Sequence, residues 1–84
     1  MASVNVRYFA SLREALGGAE TVEWTDGLTL GELRDRLIAR GGAHAQALAR
    51  GRALRCALNQ VMAAEATAVP AGAEVAFFPP VTGG

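Results

Sequence analysis

Few residues in this chain could do chemistry, and they do not cluster. Cys56 is the one thiol, His44 the one imidazole, and the chain closes on Gly83-Gly84 at the end of the run "EVAFFPPVTGG". A nucleophilic cysteine needs a lowered pKa and a partner base. Cys56 instead sits in "ALRCALNQ" and shares its strand parity with Leu54 and Leu58, the pattern of a small core hydrophobe. A single cysteine excludes an internal disulfide and any two-cysteine metal or redox motif. His44 follows Gly41-Gly42-Ala43 with no second ligand at metal spacing, and reads as a surface residue near a helix start. One histidine and no distinctive serine leave no Ser-His-Asp set. The pairs Gly17-Gly18 and Gly41-Gly42 lack a phosphate-loop pattern and read as helix ends. The chain has no visible catalytic constellation of its own.

The ending is the exception. A terminal Gly-Gly can be no more than a frayed tail. Here, however, Pro79-Pro80 favour a stiff polyproline II form that carries the chain away from the last strand. From Val81 to Gly84 the backbone spans roughly 13 Å at ~3.3 Å per residue. Two glycines have no Cβ, so a narrow tunnel can close around Gly83 and Gly84 and still admit the carboxylate. A slender, extended tail ending in a carboxylate is what a partner enzyme needs if it is to activate that group.

The elements that hold this tail follow from the hydrophobic pattern. "SVNVRYF" (3–9) alternates as a half-buried strand, with Val4, Val6 and Tyr8 on one side and Arg7 and Phe9 on the other. Ser11 and Glu14 have capping-box spacing and predict a short helix through Leu12 and Leu16, closed by Gly17-Gly18. "ETVEW" is a second strand with Val22 and Trp24 inward. After the Asp26-Gly27 turn, Thr29 and Glu32 repeat the capping-box spacing, and Leu30, Leu33, Leu37 and Ile38 make the longest apolar stripe. Glu32 and Arg36 form an i,i+4 pair on its wet side. Gly41-Gly42 ends this helix, and "AHAQALAR" can add a further helical turn or two. "ALRCALNQ" alternates again, the segment "AAEATAV" is ambiguous, Pro70-Ala71-Gly72 is a turn, and "EVAFF" is the last strand. Strand, strand, main helix and two or three more strands predict an α+β fold of the β-grasp, or ubiquitin-like, type, a mixed sheet packed on one main helix. The domain is expected to span 1–78, with 79–84 as the extended tail.

Phe9 and Phe78 fall on the parity opposite to the core residues of their strands. With Met62 they are expected to form an apolar patch on the helix-free face, of the kind that marks a partner site. The competing reading is that the strand register bends and all three belong to the core.

Composition narrows the functional classes. The 84 residues suit one domain that buries roughly 60% of its unfolded surface, and at 51% apolar they can form a core without staples. Eight acidic residues balance eight arginines, which argues against nucleic acid or an anionic membrane as partner. The chain has no lysine, and so offers no side chain as an isopeptide acceptor. No apolar run approaches the ~20 residues of a membrane span, and no charged n-region precedes an apolar stretch at the start. The expected compartment is the cytosol.

Three stretches carry a family resemblance: "VRYFASLREALG", "ALNQ" before the last hairpin, and "GAEVAFFPPVTGG". Together they resemble the small subunit of molybdopterin synthase, a family of ubiquitin-like sulfur carriers, over nearly the whole chain. The resemblance implies a protein substrate that is not catalytic alone and binds no cofactor. An adenylating enzyme of the ubiquitin-activating type, using ATP and magnesium, would activate the carboxylate of Gly84. A sulfur donor protein would leave a thiocarboxylate there. The large synthase subunit would then receive the tail, with Pro80, Val81, Thr82 and Gly83 along the insertion path, and pass sulfur to a cyclic pyranopterin monophosphate. Phe9, Met62 and Phe78 would dock that subunit. Arg13 is either a partner contact or a solvated helix charge. Other readings of the same ending are a sulfur carrier for thiamine or tRNA thiolation, and a passive β-grasp interaction module.

Overall fold

The computed structural model describes residues 2–80. In chain order these form β1 (Ser3–Tyr8), α1 (Ser11–Leu16), β2 (Ala19–Glu23), α2 (Leu30–Ala39), α3 (Gly42–Ala47), β3 (Arg55–Leu58), β4 (Val61–Ala63) and β5 (Glu74–Phe78). The strands make one mixed sheet in the order β2-β1-β5-β3-β4. β1 and β5 are parallel, with Tyr8 opposite Phe77, and every other pairing is antiparallel. The first and last strands therefore lie side by side at the sheet's centre and point the same way. This is the expected β-grasp arrangement.

Alternation sends every second strand residue to one face. Val4, Val6 and Tyr8 of β1, Val75 and Phe77 of β5 and Cys56 of β3 are buried with Leu30, Leu33 and Leu37 of α2. Leu12, Ala47 and Leu48 extend that core beneath α1 and α3. Trp24 lies just past the end of β2, packs against the core and donates its indole N–H to the Val69 carbonyl at 2.6 Å. β3 and β4 are joined by Asn59-Gln60, both at positive φ (49° and 72°), the two-residue hairpin geometry that matches strand twist.

The ambiguous segment after β4 proves to be the N-terminal seal of α2. A helix leaves its first N–H groups without intrahelical partners. Here the Leu30 N–H donates to the Thr67 carbonyl and the Gly31 N–H to the Glu65 carbonyl, while the Glu32 N–H donates to Thr29 Oγ1. The predicted Thr29 cap is thus realised. Gly31 is required by the close approach: a Cβ there would stand 3.3 Å from the Glu65 carbonyl oxygen.

Two local expectations fail. Ser11 does not cap α1; it is the first helical residue, and the cap position belongs to Ala10, at φ 54° and ψ −129°, with no side-chain hydrogen bond. The parallel β1–β5 pairing holds Phe9 in line, its N–H on the Phe77 carbonyl at 3.3 Å, so the reversal into α1 falls on the next residue and imposes a backbone glycine adopts more easily. Arg36 does not pair with Glu32. Its guanidinium reaches the Glu23 carbonyl and the Thr25 hydroxyl, tying α2 to the end of β2, where a fixed backbone acceptor outcompetes a mobile surface carboxylate.

Arg34 is the one buried charged side chain among the described residues. Its guanidinium donates to the carbonyls of Leu48 (2.8 Å), Ala49 (2.6 Å) and Arg52 (3.1 Å) and to the Glu65 carboxylate (3.0 Å). The planar fork of arginine suits such simultaneous contacts. It fastens the chain after α3 to the loop that seals α2. Removing it strands three carbonyls and a carboxylate. Arg34→Ala is expected to lower the free energy of unfolding by about 3 kcal/mol, read as a lower midpoint in urea denaturation; a change within error would assign the fastening to packing alone.

Candidate functional site: the open sheet face and the root of the tail

The helices cover one face of the sheet. The register identifies what the other face carries. One row across it is Arg7 of β1, Ala76 of β5, Ala57 of β3 and Met62 of β4. In the next row, toward the end where β5 leaves the sheet, Phe78 stands opposite Arg55, and Phe9 lies on the same side beyond the last residue of β1. Phe9 is 41% exposed, Met62 55% and Val61 67%, while Phe78 is half-buried. The rings of Phe9 and Phe78 point away from the core, so the register does not bend. Together with Met62 they form the apolar surface the parity pattern implies.

The tail is rooted beside this surface. Because β1 and β5 are parallel, the end of β5 lies next to Phe9. Proline has no N–H and cannot extend the strand ladder, so β5 stops at Phe78 and Pro79-Pro80 lead the chain off the sheet. Of the residues assigned to tail insertion, Pro80 is described and half-buried. Val81, Thr82, Gly83 and Gly84 lie outside the described residues.

Arg7 and Arg55 also belong to this face, while Val61, opposite Leu58 and so on the helix-side parity, is exposed at the sheet's edge; their types alone did not single them out. The signals were present: Arg7 shares its parity with Phe9, Arg55 faces Phe78 by register, and the Asn59-Gln60 turn makes Val61 the first residue of an edge strand. Arg7 lies over the Phe9 ring, 5.7 Å from its centroid, an arrangement that keeps an arginine and an aromatic ring side by side on a wet surface. Arg13 is exposed on α1, as expected of a solvated helix charge.

The reactive groups elsewhere are tied down. Cys56 is buried, its Sγ donates to the Ala63 carbonyl at 3.3 Å, and burial pushes its thiol pKa up, aided by the nearby Glu65 charge. A protonated, hydrogen-bonded thiol is a poor nucleophile, in keeping with the core reading. His44 departs from expectation. Rather than standing on the surface, it lies half-buried with Nε2 2.8 Å from Glu20 Oε2 and its ring edge-on to Tyr8, centroids 6.4 Å apart. The Tyr8 hydroxyl donates to the same carboxylate oxygen at 2.7 Å, and Arg40 pairs with the other. Glu20 thereby gathers β1, β2, α3 and the end of α2. Sequence separation hid this cluster, since its members lie far apart along the chain and meet only through the sheet register. Among the described residues no group of acidic, histidine and cysteine side chains could hold a metal ion, and no helix is long and apolar enough to cross a membrane.

Fold and surface define a ubiquitin-like β-grasp domain, with an apolar sheet face beside the point where Pro79-Pro80 leave the last strand. The sequence model of the ThiS family matches residues 6–84, and the chain belongs to that family. It is 40% identical to the molybdopterin synthase sulfur carrier subunit of Haemophilus influenzae, over 96% of this chain and 99% of that one. Among solved structures it resembles SAMP1 of Haloferax volcanii, with TM-score 0.78 and 31% identity over 98% of this chain and 99% of that one. It also resembles a chain in the complex of subunits 1 and 2 of molybdopterin-converting factor from Helicobacter pylori, with TM-score 0.67 and 25% identity over 98% and 99% of the two chains.

The Glu20 cluster predicts an acid-sensitive fold. Burial alone would raise the Glu20 pKa, but hydrogen bonds from His44, Tyr8 and Arg40 outweigh it and bring the carboxyl from 4.5 down to about 2. A group whose folded pKa is depressed contributes stability above its unfolded pKa and loses it as pH falls through the folded one. Melting temperatures of the parent and of Glu20→Gln are therefore expected to differ most above about pH 4.5 and to converge as the pH approaches about 2. A gap that stays constant across that range would show that the carboxylate charge contributes nothing.

Proposed function

We propose that this chain is the sulfur carrier subunit of a molybdopterin synthase, with the carboxylate of Gly84 as the group that is modified. The observation that carries this reading is the parallel pairing of β1 with β5. It makes the apolar face bearing Phe9, Met62 and Phe78 and the Pro79-Pro80 root of the tail one continuous surface. A partner that docks on the face receives the tail in the same encounter. The names of the relatives support the chemistry, and the complex from Helicobacter pylori supports a large subunit as partner.

The cycle follows from carbonyl chemistry. A carboxylate is a poor electrophile. An adenylating enzyme with ATP and magnesium joins the Gly84 carboxylate to AMP as a mixed anhydride and releases pyrophosphate. Hydrosulfide released by a donor protein then adds to the carbonyl carbon, AMP departs as the leaving group, and loss of the S–H proton leaves a thiocarboxylate. On the large subunit that sulfur displaces an oxygen substituent from a carbon of the pterin substrate, and water then hydrolyses the thioester so formed, leaving sulfur on the pterin and the carboxylate on Gly84. Val81, Thr82, Gly83 and Pro80 line the way in, and the two glycines let the backbone pass where side chains would not. The carrier's own share is to present the tail and to stay inert: it has no lysine, and its one thiol is buried. The activating enzyme and its ATP supply place the cycle in the cytosol.

Two measurements test the reading. Incubation with an activating enzyme, ATP and a sulfur source should add roughly 16 mass units (one oxygen replaced by sulfur) at Gly84, the chemistry of carboxyl activation. One alanine appended after Gly84 should abolish pterin sulfuration while leaving the melting curve unchanged; an extended chain that still delivers sulfur would refute the terminal-carboxylate mechanism. Separately, Phe78→Asp should weaken large-subunit binding at least about tenfold, as loss of a central aromatic anchor does, with little change in melting temperature because the ring faces out. Full binding by this variant would remove the open face from the interface.

A further inference from the structure

The charges on the open face are segregated along the strands. At the tail end, Arg55 stands opposite Phe78 and is exposed, with no ion pair among the described residues. One row back, Arg7 is half-exposed over the Phe9 ring. The carboxylates sit toward the opposite end: Glu74 opposite Asn5, and Glu23 of β2 opposite Ser3. Arg55 lies four residue positions from Glu74 along the sheet, roughly 13 Å at ~3.3 Å per residue. Arg7 and Arg55 are on strands two apart, about 10 Å at ~4.8 Å per strand, with Phe78 on the strand between them. The arginines thus flank the aromatic centre of the patch and the root of the tail; Arg55 lies well away from the acids, while Glu74, two positions behind Arg7, comes within 3.8 Å of it.

Of the six other arginines four are tied up, while Arg13 and Arg52 are exposed with no side-chain hydrogen bond or ion pair among the described residues and stand off this face. Arg34, Arg36, Arg40 and Arg50 each reach backbone carbonyls, hydroxyls or carboxylates of another element. Arg7 meets Glu74 only at 3.8 Å and in water, a pairing worth little. Two arginines beside exposed aromatic rings are, moreover, unsuited to a wholly apolar docking partner. Burying them unpaired would cost more than the rings return.

We propose that Arg7 and Arg55 are specificity determinants of this face, each taking a carboxylate on an otherwise apolar surface of the large subunit. This rests on the function proposed above and deepens it by naming the partner's chemistry. With Glu74 and Glu23 at the other end, the face has two poles. A partner with carboxylates at the tail end docks with the tail aimed at its site, and one turned end for end meets like charge. Such complementarity acts mainly on the association rate and on orientation, and salt weakens it.

The test uses the full chain and a molybdopterin synthase large subunit, with association followed by surface plasmon resonance at low and high salt. For the parent, the association rate should fall about tenfold between roughly 0.05 M and 0.5 M sodium chloride, the behaviour of steered binding. Arg55→Gln and Arg7→Gln should each slow association at low salt and flatten its salt dependence. Arg55→Glu should slow it further, and Arg55→Lys should restore most of the salt dependence. All these sites are exposed, so circular dichroism should show unchanged folding. If the parent binds but the glutamine variants keep its rate and its salt slope, the inference fails and the function stands. If the parent does not bind the large subunit at all, the function fails with it. If sedimentation shows the carrier alone forming a dimer that Arg55→Glu dissolves, a second copy covers this face and the inference is overturned.

Discussion

The parallel contact between β1 and β5 is the constraint on which the rest depends. It joins residues near the two ends of the chain, Val6 to Val75 and Tyr8 to Phe77. Pairing this distant is entropically costly to close and forms only because both strands bury one face against the same helix. Once formed, it determines where the last strand ends, which face Phe78 presents, and where Pro79-Pro80 depart. It also forces the sharp reversal at Ala10 and so sets α1 against the end of the sheet. Fold and tail presentation are not separable here. A defect in the central pair would misplace the open apolar face and the Pro79-Pro80 exit together.

Around that centre, arginine does work that a larger core would leave to apolar packing. Arg34 gathers carbonyls that follow α3, Arg50 joins the Gly31 carbonyl to Asp35 and Glu65, and Arg36 binds α2 to the end of β2. Small domains bury a limited share of their surface, and short helices such as α1 and α3 have little intrinsic stability. Multidentate guanidinium contacts to fixed backbone acceptors hold such segments without requiring more apolar area. The same choice of cation leaves the chain without a side-chain amine. The chain carries no lysine side chain, and its one thiol is inside. Structural economy and chemical silence come from one compositional habit.

The division of labour follows. The described residues contain neither a metal cluster nor a nucleophile with its base, and the polar cluster around Glu20 is built inward, with its donors all committed. What faces outward is an apolar patch with charges sorted along its length.

Much of this was legible in the residues alone. The alternation of Val4, Val6 and Tyr8, the Leu30-Leu33-Leu37 stripe with its Thr29 cap, the turns and the final strand all express short-range rules of period and capping, which act within a few residues. So does the stop of the last strand at Phe78, because Pro79 has no N–H to extend the ladder. The outward parity of Phe9 and Phe78 was readable too, although that it implied an open face depended on which side the helix covered. Long-range register decided the remainder. It took Ser11 out of the cap, drew His44 into the Glu20 cluster, turned the ambiguous segment after β4 into the seal of α2, diverted Arg36 from Glu32, and set Arg7 and Arg55 on either side of Phe78. Each of these depends on partners remote in sequence, whose positions no local period encodes and only the closed sheet supplies.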